Sequence, residues 1–368
     1  MRQRLVVLAG FATLTLPYTQ ALYGQSPSQQ LPQVAVTEGV SAHYLAVAES
    51  AAAAPKERAT WQRRLDASHD TLENVLAWYT SHDQGNEALR LLVALERFWN
   101  GPSLVTGFDQ ALAIPGTQPR IRARALNNAA AAAFRLKDQE RTRRWASESI
   151  GIWRSLGNSA ETGRAYERLV QAALREDNHA ALRALADTGE LLCVQAHDED
   201  CHAYFLNMRG ESARVLKQYD SAAVYYGQAA VLYSRVSPVP RLDIAHNIGF
   251  TLLALGRIAE ARQRFREGLG RAVAGVNRYY YPFMLAGLAS SDAADGNAAS
   301  AAKLFGVSDA QLEQLGIVAD PADAVEYERY RAIARKRLGV AAFEAGVKTG
   351  RALPADSVIA TLKSLPWK

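Results

Sequence analysis

The sequence predicts an all-α protein, a right-handed α-solenoid of stacked antiparallel helix pairs. Three observations carry that reading. No proline stands between Pro119 and Pro238, and proline inside a helix removes a hydrogen bond and clashes with the preceding turn. Within "LDIAHNIGFTLLALGRIAEARQRFREGL", residues 242–269, Ala245, Ile248, Gly249 and Leu252 recur at three- and four-residue spacing. That is the pattern of a helix with one buried face. Leu255 and Gly256 end it, since glycine accepts left-handed backbone at a helix stop. A second helix starts at once, with Ala261 and Phe265 on its inner side. Finally, the arrangement repeats. Its small or apolar anchors are Ala130, Val170, Gly210, Gly249 and Ala289, at spacings of 40, 40, 39 and 40 residues. A fixed period of this size means helix pairs that each bury a face on the next.

Taken in order, residues 1–21 read as a secretory signal peptide. Arg2 and Arg4 precede an apolar or small run from Leu5 to Leu16, and Pro17 breaks it. Thr19 and Ala21 are the small residues that precede a cleavage site. The run is too short to span a bilayer. Residues 22–39 read as a disordered linker, polar and proline-containing. Export to the periplasm or medium is expected; a retained leader on a cytoplasmic protein is the alternative. The 368 residues carry a net charge of +5 and only 8% aromatic residues. Removal of Arg2 and Arg4 lowers the charge to +3. The basic clusters "RIRAR" and "RTRR" are short and scattered, whereas nucleic-acid binding needs a focused basic stripe. No nucleic-acid partner, cofactor or stable membrane span is expected.

Residues 40–115 are expected to form an N-terminal helical capping region, and 116–316 the repeats. Thr142, Leu182, Ala222, Ala261 and Ala301 hold the second helix of each unit, and Tyr226, Phe265 and Phe305 fill the space beyond. In the first unit, Lys137 stands where a turn glycine is expected. Residues 317–368 are expected to form C-terminal capping helices and a tail. There Asp320 can cap a helix starting at Pro321, with Tyr327, Tyr330, Ile333, Ala334 and Leu338 on one face.

The small–small–aromatic order with its turn residue resembles the tetratricopeptide repeat, stretched from its usual 34 residues. A second resemblance covers both ends. In "WQRRLDASHDTLENVLAWYTSHDQGNEALRLLVALERFW", Trp61, Leu65, Asp66, His69, Asp70, Leu72 and Trp78 resemble a segment of bacterial signal-transduction ATPase regulators of the MalT-like kind. The segment "AAKLFGVSDAQLEQLGIVADPADAVEYERYRAIARKRLGVAAFEAGVKTGRAL" resembles the close of the same helical tails. Those regulators use a phosphate-binding loop ending in Gly-Lys-Ser or Gly-Lys-Thr. This sequence contains no Gly-Lys pair, so their ATPase switching is not carried over, and the chain reads as the tail alone.

No catalytic motif stands out, and no enzymatic activity is expected. His69 and Asp70 are adjacent, so on a helix they point about 100° apart and cannot form a dyad. "CVQAHDEDCH", residues 193–202, fits no zinc spacing and reads as an acidic inter-helix turn. Cys193 and Cys201, the only cysteines, would pair as a disulfide in an exported protein. The expected binding surface is the groove lined by the first helix of each pair. Repeat positions select Arg124, Asn127 and Arg135; Arg164, Glu167, Gln171 and Arg175; Tyr204, Asn207, Glu211 and Arg214; then Asp243 and His246. Arginine forks suit carboxylates, although any exposed groove is polar. In "NRYYYPF" the tyrosines are expected to pack the loop onto the preceding unit, with an exposed aromatic patch as the alternative. The reading is a non-enzymatic scaffold for a protein or peptide. The alternative is a cytosolic regulator fragment that binds a small-molecule inducer or a partner ATPase.

Overall fold

The computed structural model describes residues 36–54, 57–237, 241–275, 277–317, 319 and 321–364. The signal segment, nearly all of the linker and the Asp320 cap lie outside the described residues. Everything regular in the described residues is helical, with no strand among them.

The first five helices are α1 (Glu38–Ala53), α2 (Arg58–Asp66), α3 (His69–Ser81), α4 (Gly85–Leu95) and α5 (Pro102–Ala113). They share one core with the start of the array, built on Leu72, Leu89, Leu92 and Phe108. His69 faces Trp99 at 4.6 Å, ring to ring, and approaches Glu73 at 3.4 Å. Five helix pairs follow. They are α6 (Pro119–Arg135) with α7 (Gln139–Ser155), α8 (Ser159–Arg175) with α9 (His179–Gln195), α10 (Glu199–Val215) with α11 (Tyr219–Val236), α12 (Leu242–Ala254) with α13 (Ile258–Ala274), and α14 (Tyr281–Ala294) with α15 (Ala298–Gln314). Each anchor residue falls on the first helix of its own pair, so the register of forty is a register of helix pairs stacked as an α-solenoid.

The helices stop by one device. Lys137, Asp177, His197 and Lys217 have φ between 53° and 63°, and Gly157, Gly256 and Gly296 between 66° and 94°. A left-handed residue closes each of these turns, and where it is not glycine the backbone carries roughly 1 kcal/mol of strain. Four of the helices that follow are then capped by a side chain. Asp138, Asn158, Asn178 and Asp198 each accept from the backbone N–H three residues on, worth about 1 kcal/mol apiece. The sequence "CVQAHDEDCH" is one such turn, with α10 starting at Glu199 rather than near Cys201. Cys193 and Cys201 are bonded across it, their Cα atoms 5.7 Å apart.

The pairs pack closely because small residues meet rings. An ideal Cβ on Gly249 would lie 2.4 Å from Phe265 Cζ, and one on Gly287 2.2 Å from Phe265 Cδ1. Phe265 is fully buried between the two helices. After α15 the pattern changes. Three helices remain: α16 (Pro321–Leu338), α17 (Val340–Arg351) and α18 (Ala355–Ser364). Helix α17 lies directly against α15, while α16 packs against both α14 and α15 and reaches back along the first-helix face. Its Tyr327, Tyr330 and Ala334 are buried.

Candidate functional site

The first-helix face divides into three stretches. At its C-terminal end, α16 covers what the sequence presents as open groove. Arg214 is 4% exposed; it pairs with Glu211 at 2.8 Å and with Asp323 of α16 at 3.1 Å. His246 is buried too, its Nε2 2.9 Å from the Tyr327 hydroxyl. The rings of Phe250, Phe265, Phe283 and Tyr327 surround it. Asn207 is buried and accepts from Asn247 at 3.3 Å. Thus Arg214 and His246 are turned to α16, Asn207 to Asn247 of α12 and Glu211 to Arg214, rather than to an open groove. The physical reason is the apolar side of α16, whose tyrosines leave water by folding back onto this face. Asp243 is held by Arg241 through two hydrogen bonds of 3.0 and 2.7 Å. The tyrosines of "NRYYYPF" divide: Tyr281 is buried, Tyr280 half-buried, and Tyr279 exposed against Phe283.

In the middle stretch the expected residues form a partly buried polar seam. Arg164 pairs with Asp198 at 2.7 Å. Arg168, which the sequence reading did not select, donates to Gln171 Oε1 at 2.7 Å and lies 3.6 Å from Glu167. The Tyr204 hydroxyl donates to the backbone oxygen of Glu167 at 3.4 Å. Burial pushes the Glu167 carboxyl up to about 7, against the opposing pull of Arg168 and Arg164. Burial also pushes the Tyr204 hydroxyl well up. Arg175 donates to the Phe134 carbonyl and lies 3.6 Å over that ring.

The N-terminal stretch stays open. A cavity of about 620 Å³ lies between the end of α1, helix α4, the start of α6 and the α7–α8 turn, within the range of ligand sites. Arg124 lines it, and so do Arg120 and Trp153. Asn127, three residues further along α6, has a buried side-chain oxygen with no hydrogen-bond partner. Arg135 is spent elsewhere, on Glu96 at 2.5 Å. In "RIRAR" the middle arginine, Arg122, turns to Glu148 and the Leu112 carbonyl. The outer two face the cavity. A helical spacing of four puts Arg120 beside Arg124; the contribution of Trp153, from the second helix of the same pair, has no signal in the sequence.

The described residues hold no cluster of three or more metal-ligating side chains, and none of their helices is long and apolar enough to cross a membrane.

No protein-family description and no characterised protein matches the sequence. Solved structures do match the fold. The chain is similar to a Rap protein complexed with competence and sporulation factor, at 10% identity and a TM-score of 0.53, over 88% of this chain and 86% of that one. It is similar also to aspartyl phosphate phosphatase F from Bacillus subtilis, at 12% identity and a TM-score of 0.53, over 90% and 94%. At such identities the likeness is one of fold alone, and it supports a tetratricopeptide-like helical-repeat fold.

Proposed function

We propose that this chain is a non-enzymatic scaffold that holds a protein or peptide on its first-helix face. The observation that carries this reading is the division of that face. Its C-terminal stretch is filled by α16, while its N-terminal stretch keeps an open cavity lined by Arg120 and Arg124. A Rap protein of like fold is complexed with competence and sporulation factor, which supports reading such an array as a binding platform.

The test is site-specific photo-crosslinking in native cells. A photoreactive side chain at Ala53, on the cavity wall, should capture one defined partner. The same group at the exposed Gly151, on the second-helix side, should not. Equal capture at both positions, or none at Ala53, would refute the reading.

Two finer proposals go with it. The leader pattern and the paired cysteines favour an exported scaffold. The MalT-like pattern around Trp61 and Trp78 favours descent from a regulator tail, and with it the alternative of a cytosolic fragment that serves a partner ATPase. The N-terminal residue of the protein from fractionated cells separates them: a terminus near Leu22 outside the cytoplasm supports export, and an intact Met1 in the cytoplasm sinks it.

A further inference from the structure

The open cavity is built unevenly, and the unevenness specifies a ligand. Arg120 and Arg124 are both exposed and lie one turn apart on α6, and neither has an ion-pair partner among the described residues. Arg90, also on the wall, is already neutralised by two hydrogen bonds from its guanidinium to Glu49, at 2.8 and 2.9 Å. It therefore adds little positive field.

The cavity thus presents two guanidinium forks with no acidic partner among the described residues, while Trp153 lines it as an almost wholly buried side chain, 4% exposed. Glu161 lines the same cavity. It disfavours a multiply charged anion such as a phosphate, and it suits the amide or ammonium groups that accompany a carboxylate in a peptide. Ile121 and Val93 supply apolar wall for the rest of the chain.

We propose that this cavity is a carboxylate-binding subsite for an acidic peptide, with Arg120 and Arg124 as the fork. The proposal rests on the scaffold reading and deepens it by naming the ligand class. The experiment is a binding array of decapeptides, each present in an Asp/Glu form and in the matching Asn/Gln form, probed with the full chain. Charge-assisted hydrogen bonds of this kind are worth roughly ten- to a hundredfold in affinity. Bound peptides should therefore favour the acidic form by about tenfold or more. The double variant Arg120→Gln, Arg124→Gln should lose that preference while keeping its thermal midpoint. Arg183→Gln, on an exposed position of α9, should behave as the parent. Peptides bound equally in both forms would overturn the carboxylate subsite and leave the scaffold reading standing. Failure of every peptide to bind would overturn both.

Discussion

Glu167 is the one carboxylate in the polar seam whose protonation the fold sets against its natural state. Its side chain is 14% exposed, and burial raises its pKa from 4.5 to about 7. A raised carboxyl is favoured in its protonated form by the folded chain. Between pH 4.5 and 7 the folded chain therefore keeps a proton that the unfolded chain has released. Stability from this group is full below the lower value and falls as pH rises through the upper one. The whole interval is worth about 3 kcal/mol. Glu167→Gln removes the titration and nearly keeps the shape. It also withdraws a negative charge that Arg168 and Arg164 now feel, so the net gain at pH 8 is about 1–3 kcal/mol. Parent and variant would be unfolded in urea at steps from pH 4 to 8. The difference should be near zero at pH 4 and grow in favour of the variant up to pH 8. Asp138, Glu260 and Glu313, which are held below their usual range by Arg141, Arg257 and Arg351, act in the opposite sense and cancel in the difference. A variant less stable than its parent at pH 8, or a difference that does not change with pH, would refute the reasoning. It would mean that Glu167 is ionised and held by Arg168.

Three further outcomes follow from the packing. Gly249→Ala should destabilise by about 1–3 kcal/mol, since its Cβ must displace the buried Phe265 ring; Gly151→Ala, with open space around it, should stabilise by up to about 1 kcal/mol. Urea midpoints of the pair check this directly. Tyr327→Phe should cost about 1 kcal/mol by removing the hydroxyl from His246, read as a lower midpoint with the helical signal unchanged. Cys193→Ser with Cys201→Ser should lower stability by about 2 kcal/mol relative to the oxidised parent, because the bridge closes a loop with a separation of 8 residues. Equal stability of the oxidised and reduced parent would contradict that.

How much of this was legible in the sequence depends on distance along the chain. Gly210 with Tyr226, or Gly249 with Phe265, stand sixteen residues apart and touch within one helix pair. Spacing alone therefore reveals them. Lys137 shows the limit of composition. It takes the left-handed turn, at φ 63°, that its side chain disfavours, because the helices on either side impose that backbone. The partial burial of Glu167 and its shifted carboxyl are of another kind. They need the neighbouring pair in place, with Tyr204 of α10 closed over Glu167.

The sequence by itself determined the helix pairs, their period and the identity of the small residues at their contacts, because these are local choices repeated along the chain. Only the tertiary structure decided which part of the first-helix face is open. Arg214 meets Asp323 across 109 residues, and His246 meets Tyr327 across 81. No periodic signal announces either contact. Once α16 folds back, its tyrosines bury that end of the face, and Arg120 and Arg124 at the other end are left facing solvent without an ion-pair partner among the described residues.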